Sequence, residues 1–326
     1  MSGVLVLGGT QFVGKHLVEH LLALDLEVTL CNRGKSDPGA YPQLPRLVGD
    51  RDGDMSAIAG DWDTVYDVSG YTPAQLENSA QHLNPEVHYV FVSTVSVYSD
   101  LSVGGVNEES PVHQTPLGEI SEDPVTAYGE LKSLGEDVIR QRFANHTIIR
   151  PGIIAGADDP TDRVTYWASR FAERGAHVIP SEADNSAIQF TDVRDLGAFM
   201  AAVHGVPLRR ALNIVGLPTT LGAFVDEVVA TSGSGATRAE FTPAQLAELE
   251  VKPWKDLPMW LPIDEPDRAG LFAVDGSAAR SLGLVNRPFA ETIQAINEWV
   301  DRERMLFDPK VGLTAVREQE LLAKPL

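Results

Sequence analysis

Cysteine and long apolar runs are both scarce in this chain. Cys31 is the single cysteine among 326 residues, so neither an internal disulfide framework nor a cysteine-based zinc site can form. No stretch approaches the roughly 18 uncharged apolar residues that a membrane-spanning helix needs. The first residues lack the basic region of a signal peptide, and their apolar run ends at Gly8, as in a strand. We therefore expect a cytoplasmic protein with no membrane partner.

Positive charge is also scarce. Lysine and arginine number 26 against 46 aspartate and glutamate residues, which gives a formal net charge of −20 at pH 7. A surface this acidic repels phosphate backbones, and no run of basic residues offers a local exception. The composition thus argues against a nucleic-acid partner and is typical of a soluble protein that binds small molecules.

Short apolar runs alternate with helical patterns through the first half of the chain. A stripe formed by Val13, Leu17 and Leu21 predicts the first helix, and Pro73–Leu83 and Ala127–Phe143 predict two others. Six strands are predicted, at Val4–Leu7, Val28–Leu30, Leu47–Val48, Val65–Val68, Tyr89–Val92 and Thr147–Ile149. This alternation predicts an α/β protein with a doubly wound parallel sheet.

The composition changes after residue 150, where proline, glycine and acidic residues become frequent. We interpret residues 1–150 as a cofactor-binding domain to which residues 189–215 return. Residues 151–188 and 216–326 are then a smaller, interleaved C-terminal domain that binds substrate as a lid.

A glycine-rich turn lies between the first strand and the first helix. In that context it predicts a pyrophosphate site, because the helix N-terminus offers free N–H groups and the positive end of the helix dipole. Gln11 stands where many such turns have a glycine, and its side chain either limits how closely the backbone approaches the pyrophosphate or lies beside the ribose. The predicted cofactor residues of this turn are Gly8, Thr10, Gln11, Phe12, Val13 and Gly14.

The end of the second strand indicates which dinucleotide binds. NAD-binding proteins usually have an acidic residue there to hold the ribose hydroxyl, whereas this chain has Asn32 and Arg33. A guanidinium pairs well with a 2′-phosphate. We therefore predict NADP as the cofactor, with NAD as the alternative.

Two further strand ends add predicted cofactor contacts. Asp50 follows the third strand and can accept a hydrogen bond from the adenine amine. Val68, Ser69 and Gly70 follow the fourth, where small residues let the backbone pass the cofactor ribose. These positions are sensible because ligands of such sheets bind outside the carboxyl ends of the strands.

A candidate reaction centre lies further along the chain. Tyr128 and Lys132 are four residues apart on a predicted helix and therefore share one face. Thr94 follows the fifth strand, at the same edge of the sheet as the glycine turn. A cation near the phenol is expected to lower the pKa of Tyr128, which can then exchange a proton with the substrate oxygen. Thr94 is expected to hydrogen-bond that oxygen.

These motifs, with Arg150-Pro151-Gly152 and Phe190–Asp195, resemble the extended short-chain dehydrogenases/reductases of the NAD-dependent epimerase/dehydratase family. The glycine turn is similar to that of the branch containing chloroplast stem-loop RNA-binding proteins. The resemblance implies a Rossmann fold, a catalytic set of Thr94, Tyr128 and Lys132, and cofactor contacts from Tyr128, Lys132 and Pro151. It also implies a homodimer formed through the helices of Pro73–Leu83 and Ala127–Phe143.

Two departures from that family bear on the substrate. Ile153 replaces a usual asparagine, and Ala187, Ile188 and Gln189 stand where a phosphate-binding arginine is usual. We therefore expect an oxidoreductase acting on a small, largely uncharged carbonyl or hydroxyl compound. A nucleotide-sugar epimerase or dehydratase is the first alternative, for which Arg163 or Arg170 would have to replace the missing cation. A non-catalytic, cofactor-binding RNA-binding or regulatory protein is the second.

The sequence from His16 to His20 matches the H-x-x-E-H pattern of some zinc proteases. It falls on the first helix, directly after the glycine turn, where we expect these histidines to face solvent. The other histidines have no ligand spacing, so we predict no metal site.

Overall fold

The computed structural model describes residues 3–123, 125–264, 270–303 and 310–324. The strands are β1 (Gly3–Leu7), β2 (Val28–Asn32), β3 (Arg46–Val48), β4 (Trp62–Asp67), β5 (His88–Val92), β6 (His146–Pro151), β7 (Ile153–Ala155), β8 (Ala176–Pro180), β9 (Ala187–Ile188), β10 (Phe190–Asp192), β11 (Ala211–Ile214), β12 (Thr219–Thr220) and β13 (Thr237–Phe241). The helices are α1 (Phe12–Ala23), α2 (Pro73–Ala80), α3 (Tyr128–Arg142), α4 (Arg163–Arg170), α5 (Val193–Ala202), α6 (Leu221–Ser232), α7 (Pro243–Glu248), α8 (Ser277–Ser281), α9 (Phe289–Glu303) and α10 (Ala315–Leu322).

Seven strands form the main sheet, in the order β11-β6-β5-β4-β1-β2-β3. Every neighbouring pair in it is parallel. The predicted doubly wound α/β sheet is thereby confirmed. Because the strands are parallel, their carboxyl ends share one edge, and the chain leaves β1 and β4 there on opposite sides of a crevice.

Helices cover both faces of this sheet. Leu17 and Leu21 of α1 and Leu196 of α5 pack on one face, and Leu76 of α2 and Ile139 of α3 pack on the other. The strands are buried on both faces for this reason, which explains their continuous apolar runs. Among the described residues, no helix is long and apolar enough to cross a membrane.

The chain after β6 builds a second core and also returns to the sheet. The second core is formed by apolar residues of α4, α6, α9 and α10, with Trp167 and Trp260 among its largest buried side chains. Small parallel pairs join β7 to β10 and β8 to β13, and β9 pairs antiparallel with β12. Strand β11 pairs with β6 as the last strand of the main sheet. The division into two domains, and the lid role, stay predictions.

His16 does not face solvent, so that expectation is wrong. Its exposed fraction is 7%, because α5 packs against α1 at this point. A Cβ atom added to Gly197 would lie 3.2 Å from the His16 carbonyl oxygen, so the two helices touch backbone to backbone. The His16 ring contacts the carbonyl oxygen of Ala157 at 3.2 Å. Within the described ranges it joins no group of three or more potential metal ligands.

Candidate active site

A cleft of about 450 Å³ opens at the carboxyl edge of the sheet, between the ends of β1, β2 and β4. It collects side chains and turns that lie far apart in the sequence. The predicted cofactor residues that line it are Gly8, Thr10, Gln11, Phe12, Val13, Gly14, Asn32, Arg33, Asp50, Val68 and Ser69.

The glycine turn has the close contacts that an anion cradle needs. Gly8 and Gly9 have φ angles of +117° and +93°, which side chains rarely allow. A Cβ atom on Gly14 would lie 2.6 Å from the Gly9 nitrogen, so α1 begins directly against the turn. Gln11 is exposed and makes no side-chain cap on α1. The free N–H groups of the first turn therefore remain available to a phosphate.

The turn after β2 carries a second basic residue, Lys35, besides the predicted Arg33. Asn32 Oδ1 accepts a hydrogen bond of 2.9 Å from the Gly34 nitrogen, which shapes the turn. Asn32 Nδ2 is buried and has no partner in the described structure, so it is a donor left for a ligand. Lys35 and Ser36 line the cleft with Arg33. Their signal in the sequence was their position two and three residues after Arg33.

A buried ion pair forms the floor beneath this cleft. Asp67 is fully buried and accepts hydrogen bonds from the Arg51 guanidinium and from the Tyr89 hydroxyl. It also accepts from the backbone nitrogens of Ser69 and Gly70, at 3.0 and 2.9 Å. One carboxylate therefore fixes the turn that follows β4. Sequence reasoning assigned no role to Asp67 or Arg51.

The three predicted catalytic side chains lie on separate elements that converge. Tyr128 begins α3, Lys132 lies one turn further on, and Thr94 follows β5. A Cβ atom on Gly129 would lie only 2.1 Å from the Ser96 carbonyl oxygen. Because Gly129 has no side chain, the start of α3 can pack on the segment that carries Thr94. The Thr94 side chain is consequently close enough to the Tyr128 phenol to act on its pKa.

Lys132 is buried between two strand ends. Its ammonium donates to the carbonyl oxygen of Gly70 at 2.7 Å and to that of Val92. The Nζ atom lies 4.2 Å from the centroid of the Phe91 ring. Burial lowers the pKa of Lys132 to about 7. The side chain thus ties α3 to the turns after β4 and β5.

The expected lowering of the Tyr128 pKa is wrong. Burial raises the pKa of this phenol, and the neighbouring phenol of Tyr71 raises it further. The Thr94 hydroxyl and the charge of Arg163 lower the pKa of Tyr128 without reversing the shift. Lys132 directs its ammonium at backbone carbonyls. Desolvation therefore decides the direction of the Tyr128 shift.

Four predicted cofactor residues lie outside the lining of the cleft: Tyr128 and Lys132, whose positions are given above, and Gly70 and Pro151. Gly70 packs under it, where an added Cβ atom would lie 2.6 Å from Leu76 Cδ2. Pro151 is buried at the carboxyl end of β6, opposite Ile214 of β11. Both positions are on the sheet edge that carries the cleft.

Tyr71 was missed by the sequence analysis. It lines the cleft, its exposed fraction is 57%, and its ring centroid lies 5.6 Å from Lys132 Nζ. The Tyr71 phenol also raises the pKa of Tyr128. Tyr71 therefore stands between the cofactor cleft and the reaction centre, and only its position directly after Gly70 hinted at this.

The positions that depart from the family carry no cation in the structure. Ile188 is buried, and the Gln189 amide donates to the carbonyl oxygens of Gly216 and Val274, at 2.9 Å each. Arg170 is buried and donates to the Leu313 carbonyl oxygen at 2.9 Å. Among the described residues, these positions therefore offer no cation, and of the two possible replacements Arg170 is engaged as above and Arg163 donates to Thr161 Oγ1 at 3.1 Å.

Two sequence comparisons match part of the chain. An NAD-binding family model described as "Male sterility protein" matches residues 68–189. The chain is also 29% identical over 223 residues to the chloroplast stem-loop binding protein of 41 kDa b from Arabidopsis thaliana. That match covers 62% of this chain and 55% of the plant protein, so it spans little more than half of the relative's length.

Solved structures share the fold at low sequence identity. One is TunA, an NAD-dependent NDP-hexosamine 5,6-dehydratase (TM-score 0.66, 18% identity, 94% of this chain and 99% of that chain covered). Another is the UDP-glucuronic acid 4-epimerase of Bacillus cereus (TM-score 0.64, 17% identity, 92% and 99% covered). With the sequence matches, this fold confirms the predicted resemblance to extended short-chain dehydrogenases/reductases.

Proposed function

We propose that this chain is an extended short-chain dehydrogenase/reductase that uses NADP to oxidise or reduce a small carbonyl or hydroxyl compound. The observation that carries the proposal is the convergence of Thr94, Tyr128 and Lys132 beside a cleft whose far end presents Arg33 and Lys35. A proton-transfer centre and a two-cation pocket at one sheet edge suit a phosphorylated dinucleotide and a redox reaction.

The chain's own groups fit the cofactor in three places. The first turn of α1 would hold the pyrophosphate, because close packing leaves only backbone N–H groups there. The unpartnered Nδ2 of Asn32 would donate to the adenosine end. Arg33 and Lys35 form no ion pair with any described residue, so both charges are available to a 2′-phosphate.

The proposed proton transfer depends on the protonation state of the Tyr128 phenol. A nicotinamide, when bound, supplies or accepts the hydride. Since burial raises the pKa of Tyr128, the phenol is protonated at neutral pH and can donate a proton to a carbonyl oxygen. Thr94 would hydrogen-bond the same oxygen and steady its developing charge. Lys132 would hold the strand ends, and so the ribose side of the site, in register with α3.

Nucleotide-sugar chemistry has less support. Such substrates bring two phosphate charges, which proteins usually neutralise with arginines or helix N-termini. Here the Gln189 amide donates to two backbone carbonyl oxygens, and Arg170 donates to the Leu313 carbonyl oxygen within the second core.

Fluorescence titration with NADPH and NADH tests the cofactor assignment. We expect NADPH to bind more tightly than NADH, and Arg33→Ala and Lys35→Ala to reduce that preference, each by roughly tenfold because one charge-assisted contact is lost. The exposed Arg174 offers a matched control, since Arg174→Ala removes the same charge away from the cleft. Equal affinity for both cofactors in the unmodified protein would argue for NAD.

A screen of NADPH oxidation with small aldehydes and ketones tests the reaction. Tyr128→Phe should lower the rate on any active compound at least a hundredfold and leave NADPH affinity intact, because only proton transfer is removed. Retention of a near-normal rate would show that Tyr128 is not the proton donor. Cofactor binding without turnover of any compound would favour the non-catalytic alternative.

A further inference from the structure

Residues 156–162, which connect β7 to α4, reach the cofactor cleft from the second half of the chain. We call them the β7–α4 segment. Its Pro160 lines the cleft, and every other lining residue among those described belongs to the first 75 positions of the sequence. The wall of the cleft formed by Pro160 therefore depends on contacts that hold this segment against the Rossmann part of the molecule.

Two contacts fasten the segment to α1. Lys15 Nζ and Asp158 Oδ2 form an ion pair of 2.8 Å. His16 Nε2 contacts the Ala157 carbonyl oxygen at 3.2 Å, and because a carbonyl oxygen only accepts, the ring nitrogen is the donor. Lys15 and His16 directly follow Gly14 of the glycine turn. The segment is thus attached at the helix end that would receive the pyrophosphate.

The other end of the segment is anchored separately. Asp159 is 2% exposed, and its Oδ1 accepts hydrogen bonds from the Thr161 hydroxyl at 2.7 Å and from the Thr161 backbone nitrogen at 2.8 Å. Lys310 donates from its Nζ to the Pro160 carbonyl oxygen at 3.0 Å and from its backbone nitrogen to Asp162 Oδ2 at 3.1 Å. Pro160 therefore lies between an attachment to α1 and an attachment to the C-terminal part of the chain.

The attachment to α1 is the weaker kind of contact. The Lys15 and Asp158 side chains are 36% and 25% exposed, so water competes with the pair and salt screens it. Such a pair contributes little to global stability. It can also separate locally while the rest of the protein stays folded. The Lys15–Asp158 pair is therefore suited to control the position of the segment rather than the stability of the fold.

We propose that Asp158 is a cofactor-positioning residue: through its ion pair with Lys15 it holds Pro160 against the bound dinucleotide and slows the release of that dinucleotide. This inference rests on the proposed cofactor-dependent function and adds a residue that acts on the cofactor only through the β7–α4 segment. In the alternative arrangement, Lys15 binds a cofactor phosphate directly and Asp158 competes for it. The two arrangements predict opposite effects of removing the Asp158 charge.

The test measures the rate of cofactor release and requires no turnover. Protein loaded with NADPH is mixed with excess NADP⁺ in a stopped-flow instrument, and the fluorescence of bound NADPH reports its dissociation. Asp158→Asn is the best variant, because the φ angle of Asp158 is +66° and asparagine tolerates that conformation. We expect it to raise the dissociation rate roughly three- to fivefold at low salt, with little change in the association rate.

Three further variants separate this role from a general loss of structure. Lys15→Met should raise the dissociation rate like Asp158→Asn, and the double variant should exceed neither, because both remove one interaction. Pro160→Ala should also speed release, although it leaves the ion pair intact. Glu320→Gln is the control: it removes a carboxylate from a similarly exposed pair with Arg317 on α10, which does not line the cleft, and should leave release unchanged. At about 1 M salt the difference between Asp158→Asn and the unmodified protein should largely disappear.

This proposal and the proposed function fail in different ways. Release that Asp158→Asn leaves unchanged or makes slower overturns the role of Asp158, and slower release would instead favour a cofactor phosphate on Lys15. The Arg33 and Tyr128 tests still stand in either case. If NADH binds in place of NADPH, its release is measured in the same way, and only the choice of NADP fails. Faster release from Asp158→Asn without turnover of any compound supports the role of Asp158 and counts against the oxidoreductase. Binding of neither dinucleotide overturns both proposals.

Discussion

Two buried arginine–carboxylate pairs lie beneath the two halves of the site, and they differ in their access to water. Arg51 pairs with Asp67 under the cofactor cleft, and Arg150 pairs with Glu136 behind the reaction centre. The Arg51 side chain is 12% exposed and lines the cleft, whereas the Arg150 side chain is 2% exposed. The Arg51 guanidinium thus reaches solvent through the cleft, whereas Arg150 does not; we call Arg150–Glu136 the sealed pair, although Glu136 also meets the partly exposed Arg140.

The sealed pair connects the catalytic helix to the sheet. Glu136 of α3 receives two hydrogen bonds from Arg150 of β6, at 2.8 and 2.6 Å, and a third of 2.6 Å from the Ser93 hydroxyl. Arg140, one turn further along α3, donates a fourth of 2.7 Å. Arg150 also donates to the Tyr98 hydroxyl, which donates to Asn213 Oδ1 on β11. The network therefore fixes α3, and with it Tyr128 and Lys132, against three strands. The position of the reaction centre therefore depends on an ion pair to which water has little access. Water could not readily solvate either charge if its partner were removed.

The largest effect is expected from Glu136→Gln. Removing one partner of a buried pair leaves an uncompensated charge, which costs about 3–5 kcal/mol. We expect that loss in the free energy of unfolding measured with urea at pH 7. Glu136→Gln should also weaken acid sensitivity: the pKa of Glu136 is lowered in the folded state, so its stabilisation is present above the unfolded pKa and lost as pH falls through the folded one.

A more exposed carboxylate on the same helix shows whether the stability loss of Glu136→Gln is specific to burial or common to the loss of any carboxylate. Glu130 of α3 is a control on the same helix, since it is only half-buried and bonds the Thr115 hydroxyl. Glu130→Gln should cost about 1 kcal/mol. Equal losses for the two variants would contradict the role given to the sealed pair.

Asp67→Asn should lower the free energy of unfolding less than Glu136→Gln does, and it should weaken cofactor binding more. Arg51, left without its partner, can be hydrated from the cleft, so we expect a loss of about 1–3 kcal/mol in unfolding free energy. The amide cannot accept all the hydrogen bonds that hold the Ser69 and Gly70 nitrogens, so the turn after β4 loosens. NADPH affinity, measured by fluorescence titration, should fall roughly tenfold. A stability loss matching that of Glu136→Gln would remove the distinction between the pairs.

Each ion pair is also bonded to a tyrosine: Tyr98 contacts Arg150 and Tyr89 contacts Asp67. We expect smaller effects from removing their hydroxyl groups. Tyr98→Phe leaves Asn213 Oδ1 without this donor and removes an acceptor from the buried Arg150, so we expect a loss of about 1–3 kcal/mol. Tyr89→Phe removes one of several donors to Asp67 and should cost about 1 kcal/mol. Thermal unfolding of both variants tests the order. A larger loss for Tyr89→Phe would reverse our interpretation.

The smallest effect concerns Lys132, whose ammonium lies between carbonyl oxygens. Its pKa is about 7 in the folded protein and about 10.4 in an unfolded chain. Between these values the unfolded state binds more protons, so stability rises with pH by at most about 1.4 kcal/mol per unit. Urea unfolding at pH 7 and pH 8 should show a gain of about 1 kcal/mol that Lys132→Met lacks. An equal gain in the variant would assign the titration to another group.

Much of the fold was predictable because its signals are local. Apolar runs such as those of β1 and β4 reflect burial on both faces, and the alternation with helices implies parallel strands. The glycine turn was readable because Gly8 and Gly14 meet steric needs that no other residue satisfies. Strand bounds moved by up to three residues, and the helix predicted over Pro73–Leu83 ends at Ala80.

Electrostatics in the site were not predictable in the same way. The direction of the Tyr128 pKa shift depends on how deeply α3 packs, and that depth depends on Gly129 meeting Ser96 across more than 30 positions of sequence. His16 was expected in solvent because the packing of α5 on α1 has no local signature. Desolvation depends on every residue packed around a group, including residues distant in the sequence. The neighbouring residues in the sequence therefore do not predict the resulting pKa shift.

The sequence by itself determined the parallel sheet, the anion turn at the start of α1 and the residue types available for proton transfer. Only the tertiary structure decided which charges are paired. Arg170 and Arg163 are equivalent in the sequence, yet Arg170 lies within ion-pair distance of Glu318, whereas Arg163 donates to Thr161, which in turn donates to the buried Asp159. The reason is physical: backbone pattern follows from local sterics and burial, whereas the partner of a charge follows from contacts between distant segments.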